Sequence, residues 1–331
     1  MARQTRRLVS FSIAGLAVVL IAAAVWNFGA PGPAASRGAS TRVVLPPGAG
    51  IMKIADLLAR SGAIRWRGAF ILAAELTGAA PRLKAGEYDF PSHASLKRVL
   101  GVIKNGWVVH HFITIPEGLT SRTAADILAH ADYLTGPVPI APEGSLLPET
   151  YEARLGESRA VVTGRMMAAQ AALLAALWRG RAANLLYRTP REAVTLASVV
   201  EKETAKAGER AHIAAVFLNR LKSGMRLESD PTVIYGLTGG KALGHGLRVS
   251  ELASATPYNT YLTDGLPPAP IGNPGRAALA AVFHPEPSDD LYFVADGTGG
   301  HVFAATFEAH RRNVAKWRAI QRARLSTEAT P

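Results

Sequence analysis

The 331-residue chain contains no cysteine, which excludes a disulfide framework and any thiolate-held metal site. Its nine histidines fall in no HExxH or similar zinc spacing, and the paired His110 and His111 in a β-like stretch read as structural. A GxSxG elbow, a P-loop and a GxGxxG fingerprint are missing too, so esterase, nucleotide-phosphate and dinucleotide chemistries lack their signatures. Neither a cofactor nor a metal is expected. Aromatic residues are sparse at 7%, and residues 41–110 show no sugar-stacking cluster beyond Trp66, Tyr88, Phe90 and Trp107. Acidic residues are outnumbered 25 to 37 by lysine and arginine, for a net charge of +12.

What is present begins with MARQTRRLVSFSIAGLAVVLIAAAVW: Arg3, Arg6 and Arg7, then Leu8 to Trp26 without a charge. Those nineteen residues, at about 1.5 Å rise each, approach the ~30 Å hydrocarbon thickness of a bilayer. The AAA run leaves a cleaved signal peptide as the rival reading. A retained span is favoured, because the apolar stretch exceeds the usual h-region and Trp26 makes an interfacial anchor. The layout expected is a cytoplasmic tail 1–7, a transmembrane helix 8–27 in the lipid bilayer of the cytoplasmic (inner) membrane, and a flexible Gly/Ala/Pro/Ser-rich linker 28–40. By the positive-inside rule everything after Trp26 is extracytoplasmic. The three leading arginines leave a charge of +9 there, which suits an anionic partner and, beyond a membrane, not nucleic acid.

A weak echo appears at an offset of seventy residues: VLPPG with IADLLA (Val44 to Ala59) against TIPEG with AADILA (Thr114 to Ala129). Each copy reads as strand, turn and amphipathic helix. A strand at Gly86–Phe90 and a helix from Ser95 lie between them, which makes residues 41–110 a small α+β module. Further on, helices are expected at Val161–Ala176, Arg191–Leu221, Ser250–Ala255 and Phe307–Arg324. Leu291–Asp296 and His301–Thr306 flank a GTGG turn as a β-hairpin. The fold class is therefore α+β.

The chemistry concentrates between Thr189 and Tyr235. Thr189, Pro190 and Glu192 occupy N-cap, N1 and N3 of a capping box, and the helix is expected to run to about Lys206, with Gly208 stopping it. Val194, Ala197, Glu201 and Thr204 share a face. Burial on an apolar face disfavours the charged form of a carboxyl, and a retained proton is what a general acid donates. Glu203 has Leu196, Val199 and Val200 at similar spacing, so periodicity says only that one of the two glutamates faces inward.

The runs LASVVEKET, VFLNRL, MRLESDPTVIYG, PYNTYLTDGLPPAPIGNPG and HVFAATFEAHRRNVAKW, in that order, resemble the membrane-anchored endolytic murein transglycosylases, the YceG-like or MltG-type family. The likeness covers roughly Arg42 to Gln321, with Glu228 where the family often has an amide and Gly272 where alanine is usual. It implies a LysM-like module at 41–110, a larger α+β catalytic domain at 111–325 with the acid on a helix, and a tail at 326–331. The implied activity is that of a lyase cutting the MurNAc-GlcNAc β-1,4 bond within nascent glycan strands and leaving 1,6-anhydro ends, with Glu201 as the catalytic acid. One glutamate suffices, since the muramic C6 hydroxyl is an intramolecular nucleophile of high effective molarity. The stretch APEGSLLPETYEAR resembles the family's catalytic-domain signature and brings Glu143, Glu149 and Tyr151 toward the cleft. The other candidates for substrate contact are Glu203, Asn219, Arg220, Arg226, Ser229, Asp230, Thr232, Tyr235, Tyr258, Asn259 and, as a rigid wall, Asn273. Implied partners are peptidoglycan strands and peptidoglycan synthases or division proteins. The alternative reading is a non-catalytic peptidoglycan-binding anchor.

Overall fold

The computed structural model describes Ala22, residues 25–183 and residues 185–328. The cytoplasmic tail 1–7, most of the span 8–27 and the last three residues of the C-terminal tail lie outside the described residues. The chain divides into two compact units: residues up to His111 with Glu152–Gly156, and Phe112–Tyr151 with Glu157 onward. Both mix helix and strand.

The first unit runs β1 (Ser40–Leu45), α1 (Ile51–Arg60), α2 (Arg67–Leu76), β2 (Gly86–Pro91) and α3 (Leu96–Asn105). β1 and β2 form an antiparallel ribbon from Ser40 opposite Pro91 to Leu45 opposite Gly86. Strand alternation turns Val43, Leu45, Tyr88 and Phe90 to one side, where Ile54, Leu58, Phe70, Val99 and Ile103 from the three helices close the core. Ser95 starts α3 by accepting a hydrogen bond from the Arg98 amide, and Gly106, at φ 73°, ends it. Tyr88 and Phe90 are 0% and 1% exposed, so they pack the core, and neither presents a ring to a sugar. Trp66 and Trp107 are exposed.

Residues 31–35, expected as part of a flexible linker, are fixed on this unit. The Gly32 amide donates to His93 O at 3.1 Å, His93 N to Pro33 O at 2.9 Å and Ala35 N to Ser92 Oγ at 3.1 Å. Phe28 packs against the core. Composition signalled flexibility, but Gly32 is there for closeness: a Cβ would lie 2.1 Å from the Ala94 carbonyl oxygen.

In the chain order of the second unit, β3 (His111–Thr114) leads into α4 (Ser121–Ala129). The echo is visible in the backbone. Gly48 and Gly118, seventy residues apart, have φ 74° and 75°, and α1 and α4 begin at the equivalent Ile51 and Ser121. Next come β4 (Leu134–Thr135), β5 (Thr150–Ala153), β6 (Glu157–Ser158), α5 (Arg159–Gly180), α6 (Pro190–Glu203), α7 (Arg210–Lys222), α8 (Asp230–Thr238), α9 (Val249–Leu252) and α10 (Arg276–Phe283). The antiparallel hairpin β7 (Tyr292–Ala295) and β8 (His301–Ala304) precedes α11 (Phe307–Glu328). α5 is long and apolar enough by length and composition to cross a membrane. Its Val162, Met166 and Gln170 are nevertheless buried in this unit.

α6 is the central helix. Every residue from Ala193 to Val200 is buried, packed against Ile213 and Phe217 of α7 and Leu279, Val282 and Phe283 of α10. Thr189 Oγ1 accepts from the Glu192 amide, and the Glu192 carboxylate accepts from the Arg188 amide, so the capping box is closed one residue further out than the standard pairing. The helix ends at Glu203 and does not reach Lys206. Thr204 turns extended, its hydroxyl accepting from the Lys206 amide and donating to Glu209, a local side-chain bond that outcompetes another helical turn.

Candidate active site

Residues 201 and 203 are about 200° apart around a helix, so the two glutamates at the end of α6 face different surroundings. Pattern reasoning allowed one of them to be enclosed. Both are. Glu201 keeps 4% of its side chain exposed. One oxygen accepts from Arg210 Nη2 at 2.9 Å and the other from the Gly275 amide at 2.8 Å. Glu117, 44% exposed, approaches the same Arg210 nitrogen at 3.6 Å. Two carboxylates thus share one guanidinium. Burial, then the charge of Glu201, raise the Glu117 pKa, and Arg210 opposes them. The backbone shapes this corner as well: a Cβ on Gly118 would lie 3.4 Å from Glu201 Cγ, and one on Gly272 2.6 Å from the Gly118 carbonyl oxygen. Glycine at 272 therefore lets the 271–275 loop approach the 117–121 loop more closely than alanine would.

Glu143 closes an adjoining polar cluster. It accepts from the Ser121 amide at 2.8 Å, Tyr235 Oη at 3.2 Å and Asn273 Nδ2 at 3.3 Å. Burial raises its pKa, and the bonds from Ser121, Tyr235 and the Gly144 amide moderate the rise. Desolvation lowers the Lys202 pKa, and the charges of Glu143 and Glu201 oppose that shift. Asn273 is fully buried. Its Oδ1 accepts from the Leu146 amide at 2.9 Å, and its Nδ2 donates to Leu119 O at 3.0 Å and Ser121 Oγ at 3.1 Å. It pins three loops together, a stronger role than the wall expected of it.

On the other side of α6, Ser229 Oγ donates to the Glu203 carboxylate. Desolvation, helped by the charge of Asp230, pushes the Glu203 pKa up to about 7, against the Ser229 bond and Arg220. A carboxyl lifted from its ordinary 4.5 to about 7 stabilises the fold fully below the lower value and loses that contribution as pH rises through the upper one. Stability is expected to fall between those two pH values by at most about 3 kcal/mol, and the melting temperature falls with it. Glu203→Gln should flatten that slope in calorimetry. An unchanged slope would assign the desolvation elsewhere.

Several other candidates serve the framework. Asn219 Nδ2 donates to Ser288 O and Asp290 O at 2.7 and 3.1 Å. Arg220, 8% exposed, donates to Leu291 O, Arg226 O, Leu227 O and Glu228. That last contact helps hold Glu228 in a left-handed backbone at φ 51°. Thr232 and Asn259 are fully buried. Thr232 bonds Ser229 O and Thr260, and Asn259 donates to Leu252 O and Ser254 O. With no exposed surface, both side chains spend their hydrogen bonds inside the protein. Tyr151 donates to Leu147 O at 2.7 Å, and burial pushes its pKa up to about 12. Tyr235 and Tyr258 pack with ring centroids 4.8 Å apart. Arg226 pairs with Asp264 at 2.9 Å, while exposed Asp230 accepts from Tyr261 Oη at 2.7 Å.

Sequence reasoning missed Glu117, Lys202 and Arg210. Glu117 carried a usable signal: in the echo it replaces Pro47, a departure that the turn itself does not require.

A family model described as YceG-like matches residues 43–316. Over 324 aligned residues the chain is 31% identical to the endolytic murein transglycosylase of Streptococcus pneumoniae serotype 2 (strain D39 / NCTC 7466), covering 83% of this chain and 58% of that protein. It is 42% identical over 126 residues to the endolytic murein transglycosylase of Bacillus subtilis (strain 168), covering 38% of this chain and 34% of that one. The chain thus spans less than two thirds of the length of either relative. The crystal structure of a YceG-like protein from Listeria monocytogenes is similar with a TM-score of 0.54 and 28% identity, over 82% of this chain and 98% of that one. With the family model extending over most of its length, the chain belongs to the YceG-like family.

Proposed function

We propose that this protein is an endolytic peptidoglycan lytic transglycosylase in which Glu201 is both acid and base. The supporting observation is the enclosure of the Glu201 carboxyl, with its two oxygens aimed by Arg210 and the Gly275 amide and a second carboxylate on the same guanidinium. Protonated Glu201 gives its hydrogen to the glycosidic oxygen as positive charge develops at muramic C1. The C6 hydroxyl then attacks C1, and the glutamate, now ionised, takes the hydroxyl proton. The C1–O4 bond breaks, a C1–O6 bond forms, and no water is consumed. Arg210 holds the ionised form in place between the two half-steps, and Gly275 fixes its orientation.

Glu117 adjusts this balance. Its carboxylate competes for Arg210, and burial with the charge of Glu201 raises its own pKa against the pull of that guanidinium. Glu117→Gln leaves Arg210 wholly to Glu201, and the alkaline limb of the rate against pH should move to lower pH while binding of murein is retained. A pH profile identical to that of the unaltered protein would remove Glu117 from the mechanism.

The same reading places Leu8–Trp26 across the cytoplasmic membrane with Arg3, Arg6 and Arg7 inside. The active unit then faces nascent strands where synthases and division proteins work, and residues 41–110 form a LysM-like module. Digestion of murein by the full chain, with ends identified by mass spectrometry, tests the chemistry. Anhydromuramyl ends are expected. Reducing ends would mean a hydrolase, and no release would leave a binding protein.

A further inference from the structure

Helix α2 has more apolar surface than its core contact needs. Phe70 and Ala74 are fully buried, while Ala69, Leu72, Ala73 and Leu76, at i, i+3, i+4 and i+7, form a second apolar stripe along the helix. Leu72 and Leu76 are 54% and 78% exposed. That stripe lines a groove of about 230 Å³ together with Val25, Asn27 and Phe28. An adjoining groove contains Trp26, Trp66 and Arg65, and both tryptophans are exposed.

The occupant is indicated by the chain that enters here. Val25 and Trp26 close the apolar stretch Leu8–Trp26, after which the chain turns to Asn27 and the Gly/Ala/Pro/Ser-rich segment. The Ala30 amide donates to Trp26 O at 2.8 Å, Phe28 packs into the core, and Gly32 is fastened to His93. Only Asn27 to Pro31 lie between Trp26 and Gly32, at most about 20 Å of chain. A span ending at Trp26 therefore delivers this unit directly to the headgroup layer, with the exposed apolar stripe beside the point of emergence.

We propose that the first unit seats on the bilayer through Trp26, Trp66, Leu72 and Leu76, as a collar around the end of the span. This rests on the reading of Leu8–Trp26 as a span. Its chemistry is that of an interfacial helix: leucines reach the acyl boundary, and tryptophans occupy the headgroup level. Seated this way, the unit cannot swing on a tether.

Because the chain has no cysteine, single cysteines report cleanly. The full chain is reconstituted in phosphatidylglycerol/phosphatidylethanolamine vesicles with a fluorophore at Leu76→Cys, Leu16→Cys or Val44→Cys, and quenched by lipids carrying doxyl groups at shallow or deep positions. At Leu76 about a two-fold loss of emission is expected from shallow quenchers and less from deep ones, for a group ~5–10 Å into the boundary. At Leu16 both quenchers should act, deep ones more, and at Val44, on the outer side of β1, neither. Quenching at Leu16 but not at Leu76 overturns the collar and leaves the span standing. An apolar but unquenched Leu76 label means that protein, either a second copy or the chain's own apolar segment, fills the groove, and also overturns it. Equal quenching at Val44 overturns the specific face, and no quenching at Leu16 removes the span itself.

Discussion

Glu201→Gln should fold, bind murein and lose release of anhydromuramyl products by at least about 10²-fold, the usual range for a general acid–base group being 10²–10⁴. Glutamine keeps the shape and can still accept from the Gly275 amide, so the loop carrying Gly275 has no reason to move. Arg210 loses one carboxylate but retains Glu117 at 3.6 Å, which limits the cost of leaving a guanidinium that is 10% exposed without its closer partner. Melting temperature and product release are therefore expected to separate. Glu203 is the comparison that decides the assignment. Its pKa of about 7 is a property that a general acid near neutral pH needs, but its carboxylate faces Ser229 on the other side of the helix, away from Arg210 and Gly275. Glu203→Gln should retain most of its turnover. If it abolishes release while Glu201→Gln stays active, the two glutamates exchange roles.

Much of this arrangement is legible in the sequence, for identifiable reasons. The start of α6 is written locally in Thr189, Pro190 and Glu192, the hairpin in its alternating residues around GTGG, and the seventy-residue echo in two glycines that need the left-handed region. What was illegible is non-local. Arg210 meets Glu201 across a break in the helix that Thr204 imposes, and Glu117 arrives from 84 positions earlier in the chain; no periodicity connects them. A sequence does not distinguish a polar side chain facing a cleft from one facing a carbonyl. Asn219, Arg220, Thr232 and Asn259 face backbone or buried hydroxyls.

Asn273→Ala should lower both stability and turnover, because one amide joins the loops that carry Glu117, Glu143 and Gly275. The substitution leaves the Leu146 amide without its 2.9 Å acceptor and removes donors to Leu119 O, Ser121 Oγ and Glu143. A buried unsatisfied N–H costs about 1–3 kcal/mol and each of the two bonds the amide hydrogens can make at one time about 1, so a loss of at least roughly 3 kcal/mol is expected. For a unit of about 200 residues that lowers the melting temperature by about 6–12 °C. Misplacing reacting groups by an ångström costs on the order of 10²-fold in rate, so turnover should fall even at temperatures where the variant is fully folded. Asn273→Asp separates a lost bond from a lost shape. Its oxygen still accepts from Leu146, but the donor is replaced by a second oxygen facing a carbonyl and the Glu143 carboxylate. At neutral pH it should therefore be less stable than the alanine variant. Part of the difference should return as pH falls and the new carboxyl takes a proton, restoring a donor. If aspartate is instead the milder change at every pH, Asn273 acts by filling space and its amide does not position the site.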